Sequence, residues 1–174
     1  MKILVKFLTL ILLTALWVTP EVQAQESGTI QATATVVSGL NVVGSHNLIF
    51  GTVTPGVNKP IDKGTVGSAG EWSISGNAGA EVTLDFTLPL SLYTGDSTGI
   101  MPIVFSSTDA SYDNTGGGQT APTGTINPNA ISTQNLAGDG TMLIWIGGMV
   151  QPSISQTGGN YASDIILTVA YTGS

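Results

Sequence analysis

The chain has 174 residues, with four lysines and arginines against eleven acids, and its formal net charge is −7. None of the four cations is an arginine, and the chain contains no cysteine. Nucleic acid and anionic lipid are recognised by clustered lysine and arginine, so this composition argues against both as partners. The lack of cysteine excludes disulfide bonds, thiol catalysis and cysteine metal sites, so apolar packing and sheet hydrogen bonds must stabilise the fold.

Residues 1–24 have the pattern of a secretory signal peptide. Lys2 and Lys6 precede an apolar run from Phe7 to Val18, and a small-residue cleavage pattern ends at Ala24. The apolar run is about twelve residues long, whereas a membrane-spanning helix needs about twenty. We therefore expect cleavage after Ala24, secretion from the cell, and contact with a membrane only during export.

The remaining residues, 25–174, are expected to form a single domain with a formal charge of −8, because the leader removes two lysines and one acid. Few stretches show the helical period of 3.6 residues, and short segments of alternating apolar and polar side chains are separated by turn residues. This pattern predicts an all-β fold, an antiparallel immunoglobulin-like β-sandwich of about seven to nine strands. The predicted strands are Thr29–Val37, Asn47–Val53, Glu71–Gly76, Glu81–Leu90, Met101–Ser106, Thr141–Val150 and Tyr161–Thr172.

The first predicted strand lies within residues 25–37 and has one face of small apolar side chains. Ser38 and Gly39 follow it and can act as a hinge. Two interpretations remain open. The strand belongs to its own domain, or it is a donor strand that completes the sheet of a neighbouring copy, because an exposed sheet edge offers unpaired N–H and C=O groups. In the second case its apolar face forms the subunit interface, through Ile30, Ala32, Ala34 and Val36.

Alternation along the later strands predicts the core. In the last strand Tyr161, Ile165, Leu167, Val169 and Tyr171 are expected to share one face, with Thr168 on the other. Large side chains from several strands are expected to meet in one core, namely Phe50, Trp72, Phe86, Ile165, Leu167 and Val169. Trp72 and Trp145 are therefore expected to anchor the core. The alternative is a sugar-binding platform, which would need exposed aromatic faces.

Residues 107–140 interrupt the rhythm of short strands. The stretch is nearly free of large apolar residues and rich in glycine, asparagine, threonine and proline. We predict a long loop, with a short strand near Ala130–Ser132. A loop of this length is a solvated connection or a binding loop for a receptor or a neighbouring subunit.

Candidate catalytic groups are few. His46, the only histidine, lies beside Ser45 without the motif of a catalytic triad, and no serine lies in a G-x-S-x-G sequence. Asp109, Asp113 and Asp139 offer carboxylates, but they fall in the predicted loop, whereas a glycosidase pair must be held rigidly. We therefore predict no enzyme activity and no catalytic residues.

The same three aspartates are the candidate metal ligands. Asp109, Asp113 and Asp139 supply oxygen ligands of the kind that calcium takes in extracellular loops. Their spacing does not match an EF-hand, and an acidic protein needs no metal to explain surface aspartates. We therefore predict no cofactor, with calcium at these aspartates as the alternative.

Three stretches occur in a set order along the chain. They are NLIFGTVTPG at Asn47–Gly56, GEWSISGNA at Gly70–Ala78 leading into Val82–Pro89, and WIGGM at Trp145–Met149 leading into the last strand. Together they resemble the bacterial secreted domain of unknown function numbered 4402. The resemblance implies a pilin-like β-sandwich on the bacterial surface, similar to fimbrial major subunits, and it implies no catalytic residues.

These observations lead to two expectations for function. The first is a structural subunit of an extracellular pilus-like or fimbria-like filament, which binds copies of itself by strand exchange. The alternative is a monomeric, adhesin-like secreted module that uses residues 107–140 to bind a receptor on a host or neighbouring cell.

Overall fold

The structure, a computed structural model, describes Gln31 and residues 39–173, which belong, apart from Gln31, to the compact unit Val36–Ser174. The described residues form thirteen strands in antiparallel sheets and no helix, which confirms the predicted all-β fold and is consistent with a β-sandwich. The described residues contain no helix that is long and apolar enough to cross a membrane. The strands are more numerous and shorter than the predicted seven to nine, and they are β1 Asn41–His46, β2 Lys59–Ile61, β3 Gly70–Ser75, β4 Glu81–Thr87, β5 Ser91–Thr94, β6 Ile100–Val104, β7 Ala110–Asp113, β8 Gly124–Ile126, β9 Ser132–Asn135, β10 Thr141–Ile146, β11 Gly148–Val150, β12 Tyr161–Ala162 and β13 Ile166–Tyr171.

The strands form three sheets. Sheet I has the order β1-β3-β10-β7-β8, sheet II the order β12-β5-β6-β11-β2, and sheet III the order β13-β4-β9. The predicted strand Thr141–Val150 is divided between sheets I and II, because the chain breaks its ladder at Gly147. A side chain at Gly147 would clash with the carbonyl oxygen of Ile61, so only glycine allows this close crossing.

Most buried apolar side chains form one main core. The alternation predicted for the strand Glu81–Leu90 is confirmed in β4, since Val82 and Leu84 are fully buried while Thr87 is exposed. On β13 Leu167 is buried and Thr168 is exposed, as predicted. The main core consists of Ile74, Val82, Leu84, Phe86, Ala110, Ile126, Leu136, Met142, Ile144, Ile146 and Leu167.

A smaller core lies against sheet II. Its buried residues are Met101, Ile103 and Val150. Phe50 packs against this smaller core, so its predicted place in the main core is wrong. The other residues predicted with Phe50 do lie in the main core or against it, namely Trp72, Phe86, Ile165, Leu167 and Val169.

The predicted strand Tyr161–Thr172 is wrong as one element. Its first part, β12, pairs with β5 in sheet II, whereas its second part, β13, pairs with β4 in sheet III. Tyr161 therefore contacts the smaller core, while Tyr171 packs against the main core. The reason is that period-two alternation reports the faces of a strand but not its partner, so two short strands in succession look like one long strand.

The long loop predicted at residues 107–140 is also wrong. This stretch contains β7, β8 and β9, and Ala110 and Ile126 are buried in the main core. Ala110 pairs with Ile146 of β10, and Ser111 pairs with Trp145. Apart from Tyr112, β7 has only small or polar residues, and its partner strand β10 supplies the large apolar side chains. A strand with so few large apolar residues of its own was therefore predicted as a loop.

Two predictions fall on residues that the structure does not describe. The signal peptide at 1–24 is one of them. The other is the donor strand within 25–37, with its interface residues Ile30, Ala32, Ala34 and Val36.

Candidate functional site

A groove with a volume of about 1050 Å³ lies between sheets I and II. This volume lies at the top of the range of about 300–1,000 Å³ that is typical of small-molecule pockets, so the groove has room for a longer ligand. Its surface includes apolar side chains from both sheets. They are Trp72 and Ile146 from sheet I, and Leu92, Met101, Ile103 and Val150 from sheet II.

Edge strands of both sheets border this groove. Strand β1 is an edge of sheet I and contributes Gly44 and His46 to the groove lining, and β12 is an edge of sheet II and contributes Tyr161 and Ala162. An edge strand presents backbone N–H and C=O groups on the side that lacks a neighbour. The groove therefore combines apolar side chains with nearby backbone groups that can bind an extended chain.

Residues 47–53 form one wall of the groove. Leu48, Phe50 and Val53 pack against the smaller core, while the side chain of Ile49 is 52% exposed. The sequence predicted a strand at Asn47–Val53, but this stretch is not a strand and joins none of the sheets that the described residues form, so that prediction is wrong. Among the described residues its backbone makes one bond to another backbone group, from Ile49 N–H to the Ser68 carbonyl oxygen at 2.8 Å. Residues 47–53 therefore have the side-chain pattern of a strand but no partner strand in the part of the chain that the structure describes.

Residues 156–165 form a second wall of the groove. The side-chain amide of Gln156 donates to the Ile100 carbonyl oxygen at 3.0 Å and to Tyr161 Oη at 2.6 Å, and Ser163 Oγ donates to the Ser91 carbonyl oxygen at 2.7 Å. These hydrogen bonds attach the residues on both sides of β12 to β5 and β6. They therefore fix the position of this wall of the groove.

His46 and Glu71 form a polar pair near one end of the groove. His46 Nδ1 lies 3.5 Å from Glu71 Oε2, and the same carboxylate oxygen accepts a hydrogen bond from Trp145 Nε1 at 2.9 Å. The indole of Trp145 therefore holds the carboxylate that faces the histidine. Trp145 itself is 2% exposed, so the alternative of a sugar-binding platform is wrong for this residue.

Trp72 lies in the groove lining and is partly buried. Its ring packs edge-on against Phe86, with 5.9 Å between the ring centroids. This contact joins the groove to the main core. Trp72 is thus an anchor of the core, as predicted, and also a part of the groove surface.

The three candidate calcium ligands each serve a turn of their own. Asp109 accepts from Ser106 N–H and Oγ, both at 2.7 Å, and Asp139 accepts from Thr141 N–H at 3.0 Å and Oγ1 at 2.7 Å. Asp113 and Asp139 line a shared hollow, but Asp109 is not among its lining residues. Within residues 39–173 no three acidic or histidine side chains are grouped to hold a metal ion.

Asp113 is buried and holds the β7–β8 connection. Its oxygens accept from Gly118 N–H at 2.7 Å, from Thr115 N–H and Oγ1 at 2.9 Å, and from Thr123 Oγ1 at 2.9 Å. Burial alone would raise the pKa of this carboxyl, but the hydrogen bonds from Gly118, Thr115 and Thr123 outweigh it and hold the pKa well below its usual range. The charged form is therefore a structural part of the fold.

Asp113→Asn is expected to lower the free energy of unfolding by about 1–3 kcal/mol near neutral pH, because an amide NH₂ would face the Gly118 N–H. The folded-state pKa lies below the unfolded value, so this stabilisation is fully present above the unfolded value of about 3.9 and is lost as pH falls through the folded pKa. Urea unfolding over a series of pH values from pH 7 downward measures the effect. The difference between wild type and variant should be constant down to about pH 4 and shrink steadily below it. A difference that stays the same throughout the acid range would contradict this role.

The groove residues contributed by sheet II were not identified as functional from the sequence. Leu92, Met101, Ile103 and Val150 looked like ordinary core positions, because apolar alternation marks burial and does not show whether a groove lies above the side chains. The signal that could have found them is the run IMPIV in β6, which has five apolar residues in succession and therefore no polar face.

No family model matches the chain, and no curated protein sequence matches it. The resemblance to the bacterial secreted domain of unknown function numbered 4402 therefore stays a prediction, which rests on its three ordered stretches.

Proposed function

We propose that this protein is a structural subunit of an extracellular filament of the pilus or fimbria kind, and that copies join by strand exchange. The observation that carries the proposal is the groove between sheets I and II, bordered by a wall at residues 47–53 that has the pattern of a strand but no partner strand among the described residues. An extended segment lying there would gain hydrogen bonds along this wall and bury apolar side chains in the groove.

The proposed occupant is Thr29–Val37 of a neighbouring copy. Nine residues in extended form span about 30 Å, at about 3.3 Å per residue. In an extended strand, alternation would place Ile30, Ala32, Ala34 and Val36 on one apolar face, which suits a channel between two sheets. Because the segment and the groove are different parts of the chain, the contact is head to tail, and an operation that does not close generates a filament.

The alternative function, a monomeric binding module, depended on residues 107–140 as an exposed recognition loop. That stretch contains three strands, and Ala110 and Ile126 within it belong to the main core. The alternative therefore keeps only the connections between these strands as a recognition surface, whereas the groove favours the filament.

Deletion of Gln25–Val37 from the mature chain tests whether this segment fills the groove. We expect a soluble monomer with a lower unfolding midpoint, because the apolar groove surface is left uncovered. A synthetic peptide of residues 25–37 should bind and raise the midpoint, since a ligand at about 100 times its Kd stabilises the folded state by about 2.7 kcal/mol.

The matched control is the same peptide with Ala32→Asp and Ala34→Asp, which places two charges against an apolar surface and should neither bind nor stabilise. A deleted chain that is as stable as the mature chain and does not respond to the peptide would contradict the proposal.

A further inference from the structure

The outer face of sheet II is apolar although it faces solvent. Residues of β5, β6 and β11 alternate so that Leu92, Met101, Ile103 and Val150 point inward. The opposite positions ought to be polar in a sheet with one wet face. Instead, apart from Ser91, which pairs with Pro102, they form an apolar surface that we call the sheet II outer face, made of Pro60, Tyr93, Ile100, Pro102, Val104, Met149 and Ala162.

The pairing register makes this surface continuous. Tyr93 lies opposite Ile100 on the neighbouring strand, and Met149 lies between Val104 on one side and Pro60 on the other. Ile100 is 55% exposed, Tyr93 44% and Val104 39%. Contiguous exposed apolar residues of this kind mark an interaction surface, whereas single exposed apolar residues need no explanation.

The surface binds through side chains rather than by strand addition. Pro60 lies in the middle of β2, the strand at one edge of sheet II, and it has no N–H to offer to an incoming strand. Pro102 likewise removes a donor from the central strand β6. A partner of this sheet therefore packs on its face and not along the β2 edge.

Charge selects the partner. The full chain carries a net charge of −7, so two copies repel each other across most of their surfaces. None of the residues of the sheet II outer face is charged, so two copies can meet here without placing like charges opposite each other.

We propose that the sheet II outer face binds the same face of a second copy. The contact is isologous, with a two-fold axis through the face, and it is separate from the head-to-tail contact at the groove. A standard interface uses about 20–30 residues a side, so a face of this size gives a weak contact between single copies. If this contact were repeated along two filaments, the binding between them would be much stronger than that of one pair of copies. The face is therefore suited to join filaments side by side.

Single cysteines test the contact directly, because the natural chain has none. Pro102→Cys, Ile100→Cys and Val104→Cys place a thiol on the face in three separate mature chains, and Val66→Cys places one at a 70% exposed position outside it. Each protein is treated with a short bis-maleimide after filaments have been removed by centrifugation. We expect at least one face variant to give about tenfold more covalent dimer than Val66→Cys, since only a specific contact holds two identical positions together.

A double substitution that adds two negative charges to the face gives a second measurement. Ile100→Glu with Val104→Glu should reduce cross-linking of Pro102→Cys about tenfold or more, because four carboxylates would meet across the two-fold axis. Val66→Glu with Ile131→Glu adds the same charge at exposed positions outside the face and should leave the yield unchanged. In electron micrographs the first pair should give single filaments and the second pair bundles.

The cross-linking result does not depend on filaments, so it stands even if the proposed filament fails. Equal dimer yields for all three face cysteines and Val66→Cys would overturn the contact. Binding of the monomer to neutral phosphatidylcholine vesicles, abolished by the Ile100 and Val104 charge pair and without any covalent dimer, would assign the face to a lipid surface and would also overturn it.

Discussion

Leu84→Ala should lower the free energy of unfolding by about 2–5 kcal/mol. Leu84 is fully buried in the main core, in the middle of β4, where it lies opposite Val169 on one side and Ser132 on the other. Truncation removes apolar contacts and leaves a cavity that strands paired on both sides cannot close. Urea unfolding measures the loss as a lower midpoint with an unchanged slope.

Asp85→Ala is the matched control, because Asp85 is the next residue on the same strand and faces solvent. It should change the free energy of unfolding by no more than about 0.5 kcal/mol. If the two variants lost equal stability, β4 would have a different register from the one described, since a shift by one residue exchanges the buried and exposed faces.

Phe50→Ala should weaken binding of the 25–37 peptide to the chain that lacks this segment by about 30-fold or more, because a central aromatic contact at an interface is worth about 2 kcal/mol or more. Phe50 lies in the groove lining and packs against the smaller core rather than the main core. In the mature chain the same change should abolish or greatly shorten filaments. Isothermal titration with the peptide measures the first effect and electron microscopy the second.

The control for Phe50→Ala is Ile131→Ala, which truncates an apolar side chain that is 66% exposed and lies outside the groove. The peptide should bind this variant as it binds the unsubstituted chain. Unchanged peptide affinity in Phe50→Ala, with the protein still folded by circular dichroism, would remove the wall at residues 47–53 from the proposed binding surface.

The sequence was most informative where one strand faces both core and solvent along its whole length. Strand β4 is such a case, because Val82, Leu84 and Phe86 alternate with polar residues and the strand lies between two others in sheet III. The alternation was enough to predict the element, its faces and three core residues. The all-β class followed for the same reason, from the repetition of such segments.

Prediction failed where the partner strand decides whether a segment forms a strand and which sheet it joins. Residues 161–172 contain two strands that belong to different sheets, and only the polar pair Ser163 and Asp164 interrupts the side-chain pattern between them. Residues 110–113 were missed for the opposite reason, because small and polar residues form a buried strand when Ile144 and Ile146 of β10 lie beside them. Both are tertiary effects, which no local pattern contains.

The candidate site was predictable only in part. The stretch NLIF at residues 47–50 was recognised as strand-like and as part of a resemblance, and it does border the groove. What the sequence could not show is that this stretch lacks a partner strand among the described residues. Met101 and Ile103 of the groove come from a distant segment, and only the fold brings them to Phe50.

Negative-stain electron microscopy of the purified mature chain, beside the chain that lacks Gln25–Val37, tests strand exchange between copies most directly. We predict filaments of constant width from the mature chain at high concentration and on producing cells, and monomers from the deleted chain under the same conditions. Filaments from the deleted chain, or a mature chain that stays monomeric both in concentrated solution and on cells, would contradict assembly by strand exchange.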